Sequence, residues 1–182
     1  PQTDALGKVV GAELLLRWPH AKRGLVSPVE FIPLAEETGL ILPLGEWVML
    51  QACLTLAQWQ SHAALAELTL AVNVSARQFQ QADFVDQVMR LLAETAAPAH
   101  CLKIELTESM FVSGFDVAME KMHQLKHLGV KFSLDDFGTG YSSLSYLKRL
   151  PLDQLKIDQG FIRDLLTDEN DRAIAQLIIS LA

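Results

Sequence analysis

The sequence predicts an α/β fold of the TIM-like (β/α)8 barrel class, incomplete within this chain. Three observations predict it. Strand-like and helix-like segments alternate along the chain, as the βα units of a mainly parallel sheet do. Each predicted strand has one apolar face and one face with polar or ionisable residues. An open doubly wound sheet is covered by helices on both sides and wants both faces apolar. Finally, the 182 residues contain five countable strands, and a closed barrel usually needs ~250 residues.

The elements follow in order. Val9 to Trp18 is a β-rich run, with Ala12, Leu14 and Leu16 on one face and Glu13, Leu15 and Arg17 on the other. Ser27-Pro28-Val29-Glu30 has the form of a capping box with proline at the first helical position. The helix it opens should run to Thr38 and stop at Gly39. A longer helix is expected over Leu44 to Gln60, with Trp47, Leu50, Leu54 and Ala57 at helical spacing and Trp47 and Trp59 serving the core. Leu68 to Val74 reads as a strand whose faces are Leu68, Leu70, Val72, Val74 and Thr69, Ala71, Asn73, Ser75. Phe84 to Glu94 reads as a helix. The next strand is Leu102 to Leu106, where Leu102, Ile104 and Leu106 oppose Lys103, Glu105 and Thr107. A helix over Val117 to Leu128 ends at Gly129. In the strand from Val130 to Asp135, Phe132 and Leu134 oppose Lys131, Ser133 and Asp135. After a glycine-containing loop and a short helix near Ser143 to Arg149, strand Gln154 to Ile157 sets Leu155 and Ile157 against Gln154 and Lys156. A last helix begins near Asp171.

Composition narrows the function. Half the residues are hydrophobic and a fifth are charged, which argues for a globular core rather than disorder. A net charge of -7 argues against binding a DNA or RNA duplex through backbone charge alone. No apolar run reaches the ~18 residues of a membrane span, so no membrane contact is expected from this domain. Pro1-Gln2-Thr3-Asp4 lacks the pattern of a signal peptide. Cys53 and Cys101, the two cysteines, make no disulfide framework, and a reduced, cytoplasmic setting is expected.

On the barrel reading, Glu13, Asn73, Glu105, Asp135 and Lys156 point inward from five strands, and Asp136 follows at the head of a loop. A single inward Glu or Lys is commonly a buried ion pair. Five strands that all supply one are harder to explain that way, because so many converging charges are costly when unpaired. Divalent cations relieve that cost. An oxygen-only donor set suits Mg2+ or Mn2+, and the surplus of carboxylates suggests two ions, as in phosphate ester chemistry. Lys156 could then position or deprotonate a water, its pKa depressed by the cations, and Arg17 could hold a substrate phosphate. The segment from Asp135 to Ser143 carries Gly138 and Gly140 and could serve as a lid on this site, or as an ordinary turn.

These residues resemble the successive motifs of the EAL domain family. The match is carried by Glu13-Leu14-Leu15 with Arg17-Trp18, Asn73-Val74-Ser75, Glu105-Leu106-Thr107-Glu108, Asp135-Asp136-Phe137-Gly138-Thr139-Gly140 and Lys156-Ile157-Asp158. The resemblance covers essentially the whole chain as a single EAL domain (1–182), with most of the family's first strand and its closing strands lacking. It implies a TIM-like barrel with one antiparallel strand, and hydrolysis of cyclic di-GMP to linear pGpG with Mg2+ or Mn2+. By the same resemblance, Glu13, Asn73, Glu105, Asp135 and Asp136 hold two metal ions. Lys156 helps activate water, with Asp158 beside it, and Glu108 anchors the Asp-Asp-Phe-Gly loop. Arg17 contacts a substrate phosphate, and Leu15 lies close to the ligand. Further implications are a homodimer formed near that loop and sensor or GGDEF domains elsewhere in the parent protein. Leu14 replaces the alanine of the family's name motif, on the helix-facing side. The family's later glutamate ligand and glutamine are not in this sequence. The alternative to an enzyme is a cyclic di-GMP receptor that binds without cutting.

Overall fold

The computed structural model describes residues 1–111, 114–137, 148–157 and 159–163, with backbone alone at Ser109, Asp136, Phe137, Gln159 and Phe161. Eight strands are seen among them: β1 (Gln2–Thr3), β2 (Val9–Leu14), β3 (Trp18–His20), β4 (Gly24–Val26), β5 (Thr69–Asn73), β6 (Leu102–Thr107), β7 (Lys131–Phe137) and β8 (Gln154–Ile157). The helices are α1 (Pro28–Thr38), α2 (Ile41–Trp59), α3 (Ala76–Phe79), α4 (Phe84–Thr95), α5 (Phe115–His127) and α6 (Gln159–Arg163). Residues 138–143 of the expected Asp135 to Ser143 lid, the helix expected from Asp171 and Asp158 itself lie outside the described residues, as does most of the helix expected near Ser143 to Arg149.

Six strands form one sheet in the order β1-β2-β5-β6-β7-β8. From β2 onward each strand adds parallel to the one before it. The order never reverses, as it would at the switch point of a doubly wound sheet, so the winding is that of a barrel wall. β1 pairs antiparallel with β2, a sixth strand beyond the five read from the sequence.

The two faces of each strand separate as the alternation predicts. Leu70, Val72, Val74, Leu102, Ile104, Leu106 and Phe132 enter the main apolar core together with α2, α4 and α5. Leu134 continues this layer with Leu155 and Ile157. The opposite faces of β2 and β5 to β8 carry the polar residues. At Gly11 on β2 the neighbouring strand comes so close that an added Cβ would stand 2.6 Å from the Thr69 carbonyl oxygen and closer still to the Thr69 hydroxyl.

Some local expectations are corrected. The first strand ends at Leu14 rather than Trp18, and Trp18 to Val26 turns back as the β3–β4 hairpin. His20 closes that turn by accepting from the Lys22 and Arg23 amides through Nδ1, both at 3.2 Å. α1 begins at Pro28 and ends at Gly39, whose φ of 79° is the left-handed stop. Ser27 caps it with its carbonyl rather than its side chain, and the Glu30 carboxylate pairs with Arg23 instead of completing a box. α2 starts three residues earlier than expected, at Ile41. Trp47 on it is 52% exposed rather than part of the core, and Trp59 packs against the core edge.

By length and composition α2 is apolar enough to cross a membrane, contrary to the reading of the sequence. Its setting is that of a core helix. Met49, Ala52, Cys53 and Leu56 are fully buried, and Glu46 is bound to Arg90 of α4 at 2.8 Å.

Candidate active site

The polar side chains of the inward face meet toward the carboxyl ends of the parallel strands, where barrel enzymes place their sites. Strand stagger brings them to one level. Glu13 is opposite Ala71, so Asn73 lies two residues beyond it; Asn73 is opposite Glu105; Thr107 is opposite Asp135. Residues two apart share a face. Glu13, Asn73, Glu105 and Asp135 therefore climb the wall together, and Lys156 reaches them from β8.

Lys156 is the hub. Its Nζ donates to Glu105 Oε2 at 2.7 Å and to Asp135 Oδ2 at 2.9 Å, and stands 3.7 Å from Glu13 Oε2. Asn73 Nδ2 donates to Glu13 Oε1 at 2.8 Å. Glu105 is the most enclosed member, its side chain having no solvent exposure. Burial pushes its carboxyl above the ordinary range, and the Lys156 ammonium pulls the other way. Burial alone would lower the Lys156 pKa. Its hydrogen bonds to Glu105 and Asp135 outweigh that and hold it above the usual lysine range. The depression expected of Lys156 depends on cations beside it; among these side chains alone the direction is upward.

A second polar layer lies below. Lys103, buried on the same face of β6, donates to Gln154 Oε1 at 2.7 Å and to Gln2 Oε1 at 3.2 Å, and burial lowers its pKa. Gln2 Nε2 in turn lies 3.5 Å from Glu105 Oε1. The alternation on β6 places Lys103 inward, but its two amide partners come from strands at long sequence separation and are invisible to any local reading.

The oxygen donors fit a hard cation. Three carboxylates gather around the Lys156 ammonium, and an amide from the fourth of these adjacent strands is bonded to one of them, Glu13. Among the described residues no three Asp, Glu, His or Cys side chains already stand in ion-binding array. Lys156 separates the carboxylates that would have to approach one another.

A cavity of about 370 Å3 adjoins this cluster and shares Asn73 and Glu105 with it. Leu15 and Arg17 line it, so the two residues expected to contact ligand face the same space as the carboxylates. Arg17 lies past the end of β2, not on the strand face of Glu13, and its guanidinium donates to the Leu16 carbonyl at 3.1 Å. Glu108 is buried in the 3-10 turn after β6. Asp136 is placed in β7 by its backbone, and Asp158 lies outside the described residues.

Smaller features have structural settings. Phe79 packs on Phe84 with ring centroids 5.1 Å apart, and buried Lys121 donates to the Phe79 and Gln81 carbonyls, so the segment after Asn73 is anchored. His123 and His127 are both exposed, in keeping with a solvated helix face. Cys53 and Cys101 are buried free thiols, and burial raises the Cys53 pKa to about 11. Gln78 is a residue that the sequence reading missed. It lines the cavity, and Ser75-Ala76-Arg77-Gln78 has the form of a capping box, which points to a helix cap and gives no signal of that position.

This winding, with one antiparallel strand and a carboxylate cluster at the rim, is that of a (β/α) barrel domain with its site at the carboxyl ends of the strands. The EAL domain family pattern matches residues 1–182, and the chain belongs to that family. It is similar to the bifunctional diguanylate cyclase/cyclic di-GMP phosphodiesterase MucR of Pseudomonas aeruginosa, with 47% identity over 176 residues, covering 96% of this chain and 25% of the relative. The cyclic di-GMP phosphodiesterase NbdA of the same organism is 43% identical, over 97% of this chain and 22% of its own length. The chain thus spans about a quarter of the curated relatives it matches. Among solved structures, the MucR phosphodiesterase in complex with c-di-GMP superposes with a TM-score of 0.91 at 46% identity, over 96% of this chain and 70% of that one.

Proposed function

We propose that the protein bearing this chain hydrolyses cyclic di-GMP to linear pGpG with two Mg2+ or Mn2+ ions. The observation that carries this reading is the meeting of Glu13, Glu105 and Asp135 around the Lys156 ammonium, with Asn73 bonded to Glu13, at the barrel rim of an EAL domain. Relatives named for this activity support it.

In this reading Glu13, Asn73, Glu105, Asp135 and Asp136 hold the metal. Bound divalent ions supply Lewis acidity and a readily ionised attacking water. Lys156, held as an ammonium by Glu105 and Asp135, keeps the carboxylates from repelling one another in the ion-free protein. With substrate present it positions or helps to activate the attacking water, and Asp158, two residues on in the same motif, contacts substrate. Arg17 binds a phosphate oxygen as a fixed positive fork, and Leu15 packs against the ligand. Glu108 holds the loop that follows Asp136. A homodimer, attached sensor or GGDEF domains and a cytoplasmic setting complete the proposal.

The test is to incubate the full-length protein with cyclic di-GMP and Mg2+ and to follow pGpG. Turnover is expected, and Glu13→Ala should abolish it. Activity near wild type in that variant would sink the ligand assignment. No turnover by the wild type, with tight binding in Ca2+, would leave the receptor reading in its place.

A further inference from the structure

Gln78 is 4% exposed, and its amide nitrogen has no hydrogen-bond partner among the described residues. Buried amides are nearly always paired, because an unpaired one forfeits its hydration without return. A simple partner is within sequence reach. Ser75 accepts from the Gln78 backbone amide at 3.2 Å, which is half of a capping box. In the other half the glutamine side chain would turn back to the Ser75 backbone N–H. Gln78 does not make that bond and lies along the wall of the cavity that holds Asn73, Glu105, Leu15 and Arg17.

The opposite element makes room for it. Gly45 sits within α2, where glycine is the poorest helix former after proline. A Cβ there would stand 2.5 Å from Gln78 Cδ and 2.7 Å from Nε2. Glycine at this position leaves room for the amide, its oxygen nearest, against the helix, and Gln78 is among the residues lining the cavity. Much of the remaining lining is apolar: Leu14, Leu16, Ile32, Leu44 and Val48. An apolar slot with a glutamine amide in its wall suits a flat heterocycle with polar atoms on its edge.

Resting on the cyclic di-GMP reading above, we infer that Gln78 is a specificity-determining residue that hydrogen-bonds the edge of one purine base of the ligand, in a slot that Gly45 keeps open. The amide offers a donor and an acceptor side by side, which matches the guanine edge where a carbonyl lies beside an N–H.

The test compares the full-length protein with Gln78→Met and Gly45→Ala on two substrates: cyclic di-GMP, and bis(p-nitrophenyl) phosphate, a phosphodiester with no purine. Both variants should raise KM for cyclic di-GMP about tenfold, one hydrogen bond's worth. The loss in kcat/KM on cyclic di-GMP should exceed that on the purine-free diester at least fivefold. Gln78→Met should melt at or above the wild-type temperature, since it removes an unpaired buried amide. An unchanged KM, equal losses on both substrates, or a clear fall in melting temperature for Gln78→Met would each overturn the inference. Failure of the wild type to turn over cyclic di-GMP would instead count against the underlying function.

Discussion

Lys156 is bound to two carboxylates and lies near a third, and one of the three, Glu105, is wholly enclosed. Removing the ammonium leaves that carboxylate buried among like charges. In Lys156→Met the Glu105 pKa, already raised by burial, should rise further. A carboxyl whose pKa is higher folded than unfolded binds more protons in the native state, so stability falls as pH rises through the window above 4.5. The ion-free variant should therefore be most stable near pH 4–5 relative to wild type and lose ground steadily toward pH 7, as melting temperature against pH in EDTA would show. A parallel profile for the two proteins would contradict this. The charged members of the site are legible in the sequence because period-2 alternation isolates them on otherwise apolar strands. Gln78 is not, since Ser-x-x-Gln reads locally as a helix cap, and only the tertiary structure shows that the glutamine leaves the cap unmade. The protonation of Lys156 is equally hidden, because it depends on which partners the strand register delivers.

At the scale of elements, the parallel wall depends on close approach between β2 and β5. Gly11 faces Thr69 across that pair with no room for a side chain. Gly11→Ala must push β5 away or distort Thr69, and should cost roughly 1–3 kcal/mol, as overpacking typically does. A fall in melting temperature of about 2–4 °C per kcal/mol is expected; an unchanged value would show that the strands can separate freely. The strand faces and the α1, α4 and β8 segments are readable from hydrophobic spacing and glycine stops. The β3–β4 hairpin is not, because the turn is closed by a histidine ring rather than by a glycine-asparagine signal. Nor is Asp153, which accepts the Phe132 amide at 2.8 Å and the Lys126 ammonium at 2.6 Å, and so ties β8 and α5 to β7 through one carboxylate. Those partners lie 21 and 27 residues away, beyond any local pattern.

Across the whole molecule, the five parallel strands share one direction, so their two ends divide the labour. The carboxyl ends hold Asn73, Glu105, Asp135 and the cavity. The amino ends receive chain from the helices through connections such as the stretch between α2 and β5, where Ser61, His62, Ala63 and Ala64 are all exposed. That turn is one strand length, about 15 Å, from the site. A short foreign peptide, such as a tetracysteine dye tag, spliced between Ala63 and Ala64 should leave the affinity for cyclic di-GMP within twofold of the parent, by calorimetry. The same splice after Asn73 should erase it. Sheet polarity thus supplies an optical handle on the quiet side of the domain, from which ligand arrival could be watched without touching the chemistry.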